Sequence, residues 1–274
     1  MPSVFITGAS TGIGRDAALR MSARGWNVFG GVRSDGDAEV LERDSSGGIT
    51  AVRCDVTDTD QIGAAAELAL ASTGGTLTGL VNNAGIARPG LLELLAIDDL
   101  REQLEVNVIG QLAVTQAFVE ALRREGGRIV NIGSVSGMYA APGIGAYAMS
   151  KFALEAFNDA LRRELAPWNI SVSLIQPGSI ETPIWAKTIE AAQPLLESLD
   201  ERQRSRYEPL IEPLARGAAI PKRTPVSAVS DAIEHALVDR RPRTRYAIGS
   251  SARWITALRR LLPDRGLDQL TRFR

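Results

Sequence analysis

The sequence predicts an α/β fold in which a doubly wound parallel sheet of about seven strands carries helices on both faces. Short apolar runs recur along the chain, each followed by a segment of helical spacing. The runs are apolar at consecutive positions, as expected of strands buried on both faces. A length of 274 residues also suits one sheet of this size, so a single domain over 1–274 is expected.

The elements follow in order. Val4, Phe5 and Ile6 form a strand that ends in the turn Thr7-Gly8. Gly12-Ile13-Gly14 opens a helix whose apolar positions, Ala17, Ala18, Leu19 and Met21, stop at Gly25. Strands are expected at 26–32, 50–56 and 77–81, with helices at 37–43 and 58–72, and Asn82-Asn83-Ala84-Gly85 closes the fourth strand. One long helix over 98–124 precedes a strand at 128–132, a helix at 147–165 and a strand at 170–175. After Pro177 the alternation breaks. Prolines at 183, 194, 209, 213 and 221 punctuate polar helical pieces with no strand pattern, so 179–223 is expected to be a substrate-binding loop or lid. A helix at 226–238 and a strand at 245–248 follow, then a basic amphipathic extension over 250–274.

Composition excludes several classes. With 45% hydrophobic and 23% charged residues and a net charge of −1, the chain is of ordinary globular make-up, and nothing in its overall charge points to nucleic acid. One Cys, Cys54, makes no internal disulfide, and one His, His235, makes no multi-His metal site. Neither a leader pattern nor an apolar run of membrane-spanning length is evident, so a cytoplasmic protein is expected.

Two stretches carry chemistry. Thr7-Gly8-Ala9-Ser10-Thr11-Gly12-Ile13-Gly14 joins a strand to a helix N-terminus, where free N–H groups attract phosphate and glycines permit close approach. The second holds Ser134, Tyr147 and Lys151. A step of four residues turns about 400° and rises about 6 Å on a helix, so Tyr147 and Lys151 share a face. An ammonium about 5 Å away is expected to depress the phenol by about two pKa units, making Tyr147 a general acid or base for carbonyl and alcohol chemistry. Ser134 is placed to donate to the substrate oxygen. A rival use of the first turn is Gly8-x-Ser10-x-Gly12 as a nucleophile elbow, with an Asp and His235 completing a triad. It lacks an earlier loop for a second oxyanion donor and leaves Ser134, Tyr147 and Lys151 idle.

The turn Gly8-xxx-Gly12-x-Gly14, Asp55-Val56, the NNAG at 82–85, Asn107, Ser134, Tyr147, Lys151 and Pro177-Gly178 with Thr182 together resemble the short-chain dehydrogenase/reductase family in order and spacing. The resemblance implies a Rossmann-type fold and an oxidoreductase with a nicotinamide cofactor. It places the dinucleotide on Thr7, Gly8, Ser10, Thr11, Gly12, Ile13 and Gly14, with Asp55 and Val56 at the adenine. Backbone around Asn83, Ala84 and Gly85 would lie under the nicotinamide half, Asn83 itself bracing the sheet. Pro177, Gly178, Ile180 and Thr182 would hold the carboxamide, beside Tyr147 and Lys151. Asn107 resembles the family residue that holds a relay water for Lys151. By the same spacing the ribose-binding acid position is Val32, followed by Arg33, the pattern of a 2′-phosphate site, so NADP(H) is expected; the alternative is NAD(H), with Asp35 or Asp37 on the ribose.

Met138, Tyr139, Ile144, Ile184 and Trp185 flank the site, pointing to a hydrophobic carbonyl or alcohol substrate. The tail more loosely resembles the steroid, retinol and hydroxybutyrate dehydrogenase branch. Trp254, Leu258, Leu261 and Leu262 have helical spacing, with Arg259 and Arg260 opposite, and are expected to dock on the body; capping the site or lying on a membrane surface are the alternatives. The resemblance also implies a homo-dimer or homo-tetramer. A non-enzymatic dinucleotide sensor or scaffold is the other class, and an intact Ser134, Tyr147 and Lys151 set argues against it.

Overall fold

A computed structural model describes residues 1–218 and 223–271, the side chains of 211–218, 260, 270 and 271 excepted. Strands β1 (Ser3–Thr7), β2 (Asn27–Val32), β3 (Ile49–Arg53), β4 (Gly79–Asn82), β5 (Arg128–Ile132), β6 (Ser171–Pro177) and β7 (Arg245–Ile248) form a single sheet. Its order is β3-β2-β1-β4-β5-β6-β7, and every pairing is parallel. Register is set along the apolar runs, with Val4 opposite Val28 and Ile129 opposite Val172. The chain reverses its winding direction between β1 and β4, which opens a crevice at the carboxyl ends of the strands.

The helices are α1 (Gly12–Ala23), α2 (Asp35–Asp44), α3 (Thr59–Ala71), α4 (Ile97–Leu104), α5 (Gly110–Glu125), α6 (Gly145–Glu164), α7 (Ile184–Ser198), α8 (Glu201–Ala218), α9 (Ser227–Val238), α10 (Ser250–Leu261) and α11 (Asp264–Thr271). Local chemistry sets several ends. Asp58 caps α3 by accepting from Asp60 N and Gln61 N, and Ser34 caps α2 by accepting from Asp37 N. Gly126 ends α5 in the left-handed region, at φ 60°. Ala17, Ala18 and Met21 of α1, Leu41 of α2 and Ile233 and Leu237 of α9 pack on one sheet face. Ile62 of α3, Val114 and Phe118 of α5 and Leu161 of α6 pack on the other. No described helix is long and apolar enough to cross a membrane.

Three expectations change. The helix expected over 98–124 is divided: a π-helical turn, Glu105–Ile109, separates α4 from α5. The polar helical pieces expected from 179 form α7 and α8, with Pro194 inside α7 because a proline weakens a helix without always ending it. Ile180 and Thr224 also form a parallel bridge across their base, where no strand pairing was expected; Pro221 lies outside the described residues. Of the tail stripe, Leu258 and Leu262 are half-buried, whereas Trp254 and Leu261 remain 68% and 78% exposed. Docking of the whole apolar stripe is thereby corrected: its Trp254 and Leu261 edge faces solvent.

Phe118, with no exposure, lies 4.6 Å from Phe5 between ring centroids. Phe118→Ala should lower stability by about 3–5 kcal/mol in denaturant titration; a loss under about 1 kcal/mol would show that α5 is not seated on β1 in this way.

Candidate active site

The crevice holds a cavity of about 540 Å³ along the carboxyl ends of the strands. From β3 to β6 this edge spans roughly 24 Å at about 4.8 Å per strand. Gly8, Ser10, Thr11, Gly12 and Ile13 line its middle. Gly8 and Gly12 take φ of +64° and +56°, which L side chains rarely adopt. Thr11 at the start of α1 makes no side-chain cap, and the first turn of α1 has no acid, unlike the capped α2 and α3. An uncapped helix N-terminus of this kind suits a pyrophosphate.

Two residues of this signature serve packing instead of the cavity. The Thr7 hydroxyl, 1% exposed, donates to Val81 O and accepts from Asn83 N and Ala84 N, at 3.4, 2.9 and 3.0 Å. Gly14 leaves room for Gly8 O, which would lie 2.3 Å from a Cβ there. Both are corrected from cofactor contacts to the frame behind them. Asn83 donates to Thr7 O and Gly8 O at 2.9 and 3.1 Å, the bracing role expected of it, and also lines the cavity with Ala84 and Gly85.

At the β2 and β3 end, Arg33, Cys54, Asp55 and Val56 line the cavity. Arg33 is exposed and makes no ion pair with a described residue. Asp35 pairs with Arg53 at 3.1 Å, and neither Asp35 nor Asp37 reaches the cavity. Asp55 lies beyond the end of β3, where its carboxylate accepts from Thr57 N and Oγ1 at 3.0 and 2.8 Å. Burial, with Asp55 and Asp58 nearby, pushes the Cys54 thiol up to about 12, so it is inert packing.

At the β5 and β6 end stand Ser134, Tyr147 and Lys151, with Pro177, Gly178, Ile180 and Thr182 on the facing loop. Ser134 Oγ accepts from Ser136 N at 3.0 Å, which fixes the turn after β5, and hydrogen-bonds the Tyr147 phenol. Lys151 Nζ donates to Ile132 O at 2.7 Å and lies 5.5 Å from the Tyr147 ring centroid. The expected depression of the phenol is corrected here. Burial raises Tyr147 above its ordinary value, and the Ser134 hydrogen bond opposes this only in part. Burial also pushes Lys151 down to about 7, because no carboxylate accompanies the amine, so near neutral pH only about half of it is charged to act on the phenol.

Asn107, in the π-helical turn, is fully buried and does not line the cavity. Its Oδ1 accepts from Ile86 N at 2.9 Å, and its Nδ2 donates to Ile86 O and Ser150 Oγ at 3.0 and 3.1 Å. Ser150 in turn donates to Tyr147 O at 2.7 Å. The Asn107 side chain therefore ties the loop after β4 to α6, and makes no direct hydrogen bond to Lys151.

Tyr139, Ile144, Ile184 and Trp185 line the cavity as expected, whereas Met138 turns away toward Gln176 and Thr256. Sequence reasoning missed Ile86, Ala87, Val106, Lys187 and Ser251, contributed by loops and helix ends whose placement no local pattern encodes. His235 bonds Tyr246 through Nδ1 at 2.9 Å and lies outside this cavity, so the Ser10 triad does not form.

The chain belongs to the short chain dehydrogenase family, whose sequence model matches residues 2–193. Retinol dehydrogenase 5 of Mus musculus is 35% identical over 285 residues, covering 97% of this chain and 86% of that protein. A short chain dehydrogenase of Burkholderia cenocepacia, solved with NADP, is 26% identical with a TM-score of 0.77, covering 98% of this chain and 96% of that one. A Burkholderia phymatum family member solved with NAD shares the fold at a TM-score of 0.79 and 24% identity, covering 99% and 95%. The protein is therefore an oxidoreductase acting on CH–OH or C=O groups.

The perturbed amine gives a pH signature. Below pH 7 the folded state bears the full cost of burying a charged Lys151. Between pH 7 and about 10 the unfolded chain keeps a proton that the folded chain has shed, so stability gains up to about 1.4 kcal/mol per pH unit from this group. Wild type should therefore gain on Lys151→Met across that range in denaturant titrations without cofactor; parallel curves would show that the amine titrates normally.

Proposed function

We propose that the protein is an NADP(H)-dependent oxidoreductase that interconverts a ketone or aldehyde with the alcohol on a hydrophobic small molecule. The observation that carries this is the meeting of Ser134, Tyr147 and Lys151 at one end of a cavity whose middle is a glycine turn at an uncapped helix N-terminus. The backbone of 8–13 suits the pyrophosphate, Asp55 and Val56 the adenine, and Ile180 and Thr182 the carboxamide. When bound, the dinucleotide supplies or takes up the hydride. Tyr147 donates the proton to the substrate oxygen as a carbonyl becomes an alcohol, and takes it back in the reverse direction. Ser134 donates to the same oxygen and holds the phenol in place. The raised phenol is protonated at neutral pH, which suits the reductive direction. Asn107 acts through Ser150 and the loop at Ile86, as a positioning residue.

NADP(H) is supported by Arg33, a guanidinium that lines the cavity where β2 ends and makes no ion pair among the described residues. NAD(H) has less support, since Asp35 is engaged by Arg53 and Asp37 faces elsewhere. Similar solved structures hold either cofactor, so the choice rests on Arg33. The apolar wall of Tyr139, Ile144, Ile184 and Trp185, and the likeness to a retinol dehydrogenase, support a hydrophobic substrate.

Tyr147→Phe should leave dinucleotide binding, followed by fluorescence, within about twofold while turnover falls about 10²–10⁴-fold. Retained turnover would remove Tyr147 from the reaction. Arg33→Ala should raise KM for NADPH about ten- to a hundredfold, the loss of one charged hydrogen-bonding group, and leave KM for NADH nearly unchanged. Equal effects on both would place Arg33 outside a 2′-phosphate site.

A further inference from the structure

The solvent-facing part of the α10 stripe is an apolar edge that the body does not use. Trp254 and Leu261 stand seven residues apart, two helical turns, and so share one face. They are 68% and 78% exposed, more than any other described large hydrophobic residue except Met1. Arg253 beside Trp254 and Arg265 on α11 are also exposed and make no ion pair with a described residue. Arg259 is held by Asp264 instead. The whole stretch 239–274 contains ten Arg, three Asp and neither Lys nor Glu, a net of +7, so the remaining chain carries −8. An amphipathic helix with an exposed Trp and Leu, set in a basic segment of an otherwise acidic protein, matches an anionic lipid surface in both apolar contact and charge.

We propose that α10 and α11 form a docking surface for an anionic membrane, with Trp254 and Leu261 entering the interfacial layer and the arginines meeting headgroup charge. The surface is joined to the site. Ser251, in the first turn of α10, lines the cavity, and its hydroxyl accepts from Ser179 N at 3.4 Å. Thr256 of α10 contacts Met138, just past the Ser134 turn, with Oγ1 3.8 Å from its sulfur. A bilayer held by this helix therefore lies within one helix length, about 18 Å, of the cavity. An apolar substrate would be drawn from the lipid itself. The docking does not rest on the proposed reaction, since a binding measurement reads it without turnover.

The test is co-sedimentation of the full chain with vesicles of mixed phosphatidylglycerol and phosphatidylcholine, against pure phosphatidylcholine, at low and high salt. The chain should sediment with the anionic vesicles at low salt, and be released by high salt. The double variant Trp254→Ser, Leu261→Ser should bind at least tenfold more weakly, with an unchanged thermal melt because both side chains are solvent-facing. The charge variant Arg253→Gln, Arg265→Gln should lose the preference for phosphatidylglycerol. Failure of wild type to sediment, or equal binding by the apolar variant, overturns the proposal. So does a concentration-dependent dimer of wild type, abolished by Trp254→Ser, Leu261→Ser without vesicle binding, which would give the stripe to a second copy.

Discussion

The site depends on how β1 and β4 are held apart where the sheet changes direction. Parallel strands normally satisfy each other through the ladder, but beyond Thr7 and Asn82 the chain leaves in two directions and backbone groups lose their partners. Side chains replace the ladder. Thr7 Oγ1 takes Asn83 N and Ala84 N, and the Asn83 amide returns two bonds to Thr7 O and Gly8 O. Gly14 must lack a side chain because Gly8 O occupies its place. With these bonds made, the turn at Gly8 and Gly12 is fixed in left-handed geometry and the N–H groups of α1 stay free for a ligand. The cavity is thus a consequence of satisfying the backbone at one crossover.

The same burial governs the chemistry at the other end. Tyr147 and Lys151 share a helix face, but proximity alone does not decide their charge. Their common loss of water penalises the phenolate and the ammonium alike, and one carbonyl, Ile132 O, is the only protein acceptor for the amine among the described residues. Without its cofactor the site therefore holds the phenol protonated and the amine only partly charged near neutral pH. A change of charge in the cavity acts on such a pair strongly, because little solvent screens it.

Most of the sheet was legible because buried parallel strands must be apolar at consecutive positions, and because Gly, Pro and Asn mark the turns between them. The residues that line the cavity were legible as far as spacing fixes them, as with Ser134, Tyr147 and Lys151. What spacing does not carry is direction and burial. Thr7 and Gly14 belong to the same signature as Gly8 and Gly12, yet point into the frame. Asn107 lies in a helical pattern that gives no warning of a π-helical turn, and the extra residue turns its amide toward Ile86 and Ser150. The direction of the Tyr147 shift needed the depth of burial, and the split of Trp254 from Ala252 needed the position of β7, on which α10 packs. In each case the missing information is tertiary.

Beneath Ser134, Tyr147 and Lys151 the structure gives up stability for placement. Asn82 donates to Thr115 Oγ1 and Asn131 Oδ1, both at 2.9 Å, and Asn131 donates to Asn158 Oδ1 at 3.1 Å. These side chains are at most 2% exposed and link β4, β5, α5 and α6. Asn82 Oδ1 and both amide atoms of Gln111 have no partner among the described residues, so the network is only partly satisfied. A well-packed apolar set of equal volume would be the more stable core. Apolar contacts, however, tolerate a slide of one helix over a sheet, whereas these bonds hold at one register. Asn158 lies seven residues after Lys151 on α6, two turns along the same helix, so the bond that fixes it to β5 also fixes the height of Tyr147 and Lys151 above the strand ends. The polar centre of the sheet is best understood as the part that aims the helix.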